Sequence, residues 1–197
     1  MKEITKAEMR VMLTLVKSPE VIYNANSLSK VIGITSMGTL KILRRLEQES
    51  LVKPKKIGKA ITYKINIEEP YTHKYVSLIL VREAQYASPQ VKRWINEVKK
   101  IKNADVIVLF GSVLEKSNPN DIDVLLVTNQ KQFPRLQKEI EELNEINIKK
   151  IHPIYQTYND IINNIKKRDK PVLNAIKGIV ALGEDKFLKV YDESRKE

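Results

Sequence analysis

Apolar residues recur at helical spacing through the first fifty positions, in three groups: Met9, Met12, Leu13 and Val16; Leu28, Val31 and Ile32; Leu40, Leu43 and Leu46. The pattern predicts a helix over 7–16 stopped by Ser18-Pro19. A second short helix follows, capped by Asn26 or Ser27 and closed by Gly33. A third, capped by Thr35 or Ser36, runs to about Glu49. From Lys53 the period changes to two: Ile61, Tyr63 and Ile65 alternate, and Gly58 marks the tip of a hairpin over 53–65. Helical spacing returns over 71–86, with Tyr75, Leu78, Ile79 and Arg82 on one side. It continues from Ser88-Pro89 to about Lys102, with Val91, Trp94, Ile95 and Val98 inside. Trp94 reads as a packing residue.

The remainder alternates strands with helices. A buried strand is expected over 105–110, then a Gly111-Ser112 turn and a short helical and polar loop. A second strand opens with Asp121-Ile122-Asp123. Period two puts Asp121 and Asp123 on one face with Leu125 and Val127, and Ile122, Val124 and Leu126 on the other. A helix over 133–144, a strand over 146–155 and helices over 159–167 and 171–177 follow. The apolar run 178–182 with Gly183-Glu184 closes the domain, leaving a loose tail past Tyr191. The fold class is α+β: a helical unit with a hairpin over 1–70, a helical connector over 71–104, and a mixed sheet with helices over 105–191.

Charge separates these parts. The net charge is +11. Residues 1–70 carry 13 Lys and Arg against 7 Asp and Glu; residues 71–104 carry 7 against 2; residues 105–197 carry 15 against 15. A basic half joined to a neutral half points to a polyanion-binding module attached to something else. With no cysteine, disulfides and thiolate metal sites are excluded. The first residues lack a signal-peptide core, so the cytoplasm is the expected compartment and no membrane partner is expected.

Helix, short helix, Gly turn, helix and basic hairpin is the order of a winged helix-turn-helix. Residues 34–66 resemble the recognition helix and wing of bacterial and archaeal regulators of that class. With Leu40, Leu43 and Leu46 inside, the third helix turns Ser36, Met37, Thr39, Lys41, Arg44 and Arg45 outward to a major groove. Lys55, Lys56 and Lys59 face neighbouring phosphates. Duplex DNA is the expected partner. Winged helices of this type usually act as dimers, so a homodimer is expected.

Two carboxylates side by side at the mouth of a buried strand repel each other, and a divalent cation relieves that repulsion. Mg²⁺ takes one or two carboxylates together with substrate phosphates. Gly111 lets backbone approach a ligand, Ser112 offers a hydroxyl and an N–H, and the helix start after them favours anions. Gly-Ser, eight residues, then Asp-Ile-Asp resembles the signature of polymerase-β-type nucleotidyltransferases, in particular their minimal, stand-alone branch, over about 105–183. The resemblance implies that Ser112 contacts a nucleoside triphosphate beside Gly111. It implies that Asp121 and Asp123 are the catalytic pair holding the metals, and that a third carboxylate on a later strand completes the site.

That later strand carries Lys149, Lys150 and His152 and no acid; Glu145 and Asp160 lie outside it. Lys150 and His152 share a face with Ile146 and Ile148, and His152 reads as a hydrogen-bonded histidine. The sequence therefore points to a DNA-binding transcriptional regulator whose nucleotidyltransferase-like domain binds nucleotide and Mg²⁺ with little transfer. The alternative is an active enzyme moving a nucleotidyl group to protein, RNA or a small molecule. An antitoxin-like form would modify a partner toxin and bind its own promoter.

Overall fold

A computed structural model of the chain describes residues 4–116 and 118–196. The chain divides after Ile79, and each unit is built around its own sheet. As the sequence predicts, the class is α+β.

In the first unit, α1 (Lys6–Lys17) opens with a capping box in which Thr5 and Glu8 bond each other's backbone N–H. A two-residue strand, β1 (Tyr23–Asn24), is too short to leave a period in the sequence; it pairs with the hairpin and moves the next cap to Asn24. Helix α2 (Ala25–Ile32) ends at Gly33, whose φ of 69° and N–H bond to the Ser29 carbonyl make a left-handed cap. Thr35 caps α3 (Ser36–Gln48). Strands β2 (Val52–Ile57) and β3 (Ala60–Ile65) form the hairpin, with Gly58 at positive φ in its turn.

The buried line of α3 is Thr39, Leu43 and Leu46, not Leu40, Leu43 and Leu46. Helical geometry gives the reason. Steps of three residues advance about 300°, so two of them drift off one face, whereas a step of four and then three stays close to it. Helix α4 (Pro70–Tyr86) shows the same correction. Thr72, Tyr75, Val76 and Ile79 are buried, and Leu78 is exposed.

The second unit carries α5 (Pro89–Val98), β4 (Val106–Phe110), a 3₁₀ turn (Gly111–Leu114), β5 (Ile122–Val127) and α6 (Phe133–Ile146). It continues with β6 (Ile151–Gln156), α7 (Tyr158–Lys166), α8 (Lys170–Ala175), β7 (Ile179–Leu182) and α9 (Glu184–Ser194). The sheet order is β6-β5-β4-β7, with β5 and β6 parallel and the other pairs antiparallel. Val91, Trp94, Ile95 and Val98 of α5 and Leu136, Ile140 and Leu143 of α6 cover the face bearing Ile107, Leu109, Ile122 and Val124. Helices α8 and α9 pack on the other face. The hydrophobic effect thus makes α5 part of this core.

Two expectations fail at element ends. The strand expected from residue 146 begins at Ile151, because α6 continues to Ile146. Asn147 and Lys150 then occupy the carbonyls at its end: Asn147 Nδ2 donates to Leu143 O at 2.9 Å, and Lys150 Nζ donates to Asn144 O. Ile148 is left 98% exposed. At the other end, residues past Tyr191 stay helical to Ser194, with Phe187, Leu188, Val190 and Tyr191 holding α9 down. Among the described residues, no helix is long and apolar enough to cross a membrane.

Candidate functional site

Asp121 immediately precedes β5, and Asp123 is its second residue. Antiparallel register sets Asp123 opposite Phe110, the last residue of β4, where the chain turns into Gly111. Gly111 has φ of 73°, and a Cβ there would collide with the Asp123 carboxylate. Backbone and carboxylate therefore approach each other as only glycine permits. Burial pushes the Asp123 carboxyl above the usual carboxylate range, and the Asp121 charge adds to it; His152 opposes both.

The parallel pairing of β5 with β6 sets His152 in register with Asp123. Its Nδ1 lies 3.3 Å from Oδ2 of Asp121. One ligand atom from each of Asp121, Asp123 and His152 lies within 4.8 Å of the other two. The imidazole is 61% exposed, so the group opens to solvent. The sequence reading leaves His152 outside the site, as a hydrogen-bonded residue. Its position two residues into a strand parallel to β5 is the signal that places it here, and a strand start taken at residue 146 hides it.

The other candidates for this site lie elsewhere. Lys150 is engaged at the end of α6 and does not share a strand face with His152. Glu145 is exposed on α6. Asp160 is held in the capping box of α7, accepting from Thr157 N at 3.1 Å and Thr157 Oγ1 at 2.6 Å. Those two bonds hold its carboxyl below the usual range. Asp160 also borders a separate cleft of about 250 Å³ beyond the opposite ends of β5 and β6, beside Phe133 and Tyr155. Ser112 sits half-buried in the 3₁₀ turn. That turn has four residues, so the helix-dipole attraction for anions expected after Gly111 is largely lost.

The nine residues expected to face nucleic acid divide into two groups. Met37, Lys41 and Arg44 are exposed at a four-then-three spacing on α3, about 200° from the buried line. Lys55, Lys56 and Lys59 are exposed on the hairpin. Burial and the Glu47 charge raise the pKa of the Tyr63 hydroxyl of β3, and the charge of Arg44 opposes them. Ser36 is exposed, with its hydroxyl 3.0 Å from both Ser29 Oγ and Asn26 Oδ1, tying α3 to α2. Thr39, expected outside, is fully buried, and its hydroxyl donates to Thr35 O. Arg45, also expected outside, is only 28% exposed and pairs with Glu8, which is 1% exposed, and with Glu49. Both departures follow from the rotated face of α3.

No family model and no curated protein matches the chain. Among solved structures, a singly substituted mutant of Lactococcus lactis ZitR is similar at 11% identity and a TM-score of 0.37, over 51% of this chain and 64% of that one. A doubly substituted ZitR mutant is similar at 12% identity and a TM-score of 0.29, over 50% of this chain and 73% of that one. The chain thus spans less than two thirds of the first of these ZitR chains.

Proposed function

We propose that the chain is a DNA-binding transcriptional regulator: a winged helix reads duplex DNA, and a nucleotidyltransferase-like unit binds a divalent cation with a nucleoside triphosphate. The observation that carries the first part is the exposed stripe of Met37, Lys41 and Arg44 on α3 beside the lysines of the hairpin. A helix of this length fits a major groove, and hairpin cations then meet adjacent phosphates. In the second unit, Asp121 and Asp123 supply oxygen ligands, and the bare backbone at Gly111 lets the Asp123 carboxylate pack directly against the turn. Mg²⁺ is the ion these oxygens fit on their own. The proposed active form is a homodimer on a pseudo-palindrome.

Transfer is proposed to be weak. No third carboxylate adjoins the pair among the described residues, and an imidazole stands in its place. A two-metal reaction needs enough negative charge to hold both ions.

The test is fluorescence anisotropy of the full-length protein on labelled duplex DNA, titrated in low and then rising salt. Binding is expected to weaken steeply as salt displaces phosphate contacts. Arg44→Glu is expected to abolish binding while leaving the fold intact. A parent protein without affinity for duplex DNA in low salt would overturn the regulator reading.

A further inference from the structure

We infer that Asp121, Asp123 and His152 form a mixed oxygen and nitrogen site that selects a first-row transition-metal dication over Mg²⁺. The inference rests on the proposed reading that Asp121 and Asp123 hold a cation, and it specifies which cation. Three groups from two adjacent strands converge: one ligand atom of each lies within 4.8 Å of the others. Parallel register between β5 and β6 fixes the imidazole beside Asp123, so the convergence is built into the backbone.

The spacing suits ligation. Metal–nitrogen and metal–oxygen bonds of about 2.0–2.2 Å place neighbouring ligand atoms roughly 3.0–3.5 Å apart. The observed Nδ1 to Oδ2 separation is 3.3 Å. A charge-assisted bond between imidazolium and carboxylate closes to about 2.7–2.9 Å, so the pair is loose as an ion pair. The remaining separations contract by side-chain rotation, because His152 is mostly exposed.

Chemistry then selects the ion. Mg²⁺ is hard, prefers oxygen and dehydrates reluctantly, so it gains little from an imidazole. Mn²⁺, Co²⁺, Ni²⁺ and Zn²⁺ accept imidazole more readily, with affinity rising from Mn²⁺ through Co²⁺ to Ni²⁺, peaking at Cu²⁺ and falling again at Zn²⁺. Two carboxylates and one neutral imidazole leave positions free for water or the oxygens of a phosphate.

The experiment is calorimetric titration of the tag-free full chain with MnCl₂, ZnCl₂ and MgCl₂ separately, with thermal melting in each. Mn²⁺ and Zn²⁺ are expected to bind at least about tenfold tighter than Mg²⁺. His152→Ala, at an exposed position, is expected to lose that advantage and keep the weak Mg²⁺ binding. His152→Asp is expected to restore an all-oxygen site and raise Mg²⁺ affinity. Mg²⁺ binding as tight as Mn²⁺, unchanged in His152→Ala, would overturn the inference and leave the cation reading standing. Zn²⁺ binding that survives both His152→Ala and the double Asp121→Asn, Asp123→Asn variant would also overturn it, placing the ion elsewhere. No binding of any dication would overturn both.

Discussion

Arg45 of α3 reaches back to Glu8 of α1, and the carboxylate it meets is almost wholly buried. Glu8 also accepts from Thr5 N at 2.9 Å and Thr5 Oγ1 at 2.8 Å, so one carboxylate caps α1 and ties α3 to it. Arg44, one residue earlier, points about 100° away into solvent. Neighbouring arginines thus have different work. Arg45→Ala leaves a buried charge short of its partner and is expected to destabilise by about 1–3 kcal/mol. Arg44→Ala is expected to stay within about 0.5 kcal/mol of the parent. Urea denaturation of the two variants checks this; equal midpoints would show that the Glu8 pair contributes nothing.

On the hairpin, Lys59 is exposed beside the turn at Gly58. A lysine meeting phosphate carries no base information. Lys59→Ala is expected to weaken DNA binding without changing sequence preference. The slope of log affinity against log salt should fall by about 0.9 for the lost phosphate contact. Competitive binding across a panel of duplexes at several salt concentrations reads both quantities. A changed ranking of duplexes would assign Lys59 to base contact instead.

The α+β class, the helix order, the Gly33 cap and the hairpin with its Gly58 turn are legible in the sequence because each rests on local signals: period, cap and turn residue. The Gly-Ser turn before a strand opening Asp-x-Asp is legible too, but that the group Gly111 approaches is the Asp123 carboxylate emerges only from the pairing of β4 with β5. Facing is less so. Leu40 and Thr39 are adjacent, and small phase errors exchange inside for outside; Thr39 is buried with its hydroxyl satisfied by Thr35 O within the helix. His152 escapes a local reading for a longer-range reason. Its role depends on the register between β5 and β6, and α6 must be followed further, to Ile146, to find where β6 starts.

Asp160 provides a pH test within the second unit. Its carboxyl is held below the usual range by the two Thr157 bonds, so it stabilises the fold above the ordinary carboxylate pKa. That stability is lost as pH falls through the lowered folded value. Asp160→Ala is expected to cost about 0.5–1 kcal/mol at pH 7 and progressively less below about pH 4. Thermal melting between about pH 3 and 7 follows the difference. Dication binding at pH 7 should be the same in Asp160→Ala as in the parent, since Asp160 lies beyond the far end of β6. Loss of binding would make it a ligand after all.

Gly111→Ala tests the close approach. The new methyl meets the Asp123 carboxylate, and alanine is strained at φ of 73°. A stability loss of about 1–3 kcal/mol is expected, with loss of dication binding because the carboxylate must move. Melting and metal titration read the two effects. Intact binding would mean that Asp123 tolerates the displacement and does not define the site.

The final prediction separates a binding site from a structural one. Burial and the Asp121 charge raise the Asp123 carboxyl, so the folded state disfavours its ionised form. A group raised in this way contributes its full stability below the unfolded pKa and loses it as pH rises through the folded value. At pH 7 Asp123 therefore opposes folding when no cation is present. Asp123→Asn is expected to melt no lower than the parent at pH 7, with its relative gain disappearing toward about pH 4. Added dication and nucleoside triphosphate should raise melting of the parent and leave Asp123→Asn unmoved, because only the native parent site gains by mass action. The same pair of proteins, incubated with labelled nucleoside triphosphates, Mg²⁺ or Mn²⁺ and cell extract, reads transfer. Little labelling is expected from either. Strong labelling by the parent that vanishes in Asp123→Asn would mean that His152 serves where a third carboxylate was expected, and that the site turns over with an imidazole beside its metal. A clearly destabilised Asp123→Asn with a parent blind to every dication would instead make the acidic pair part of the fold.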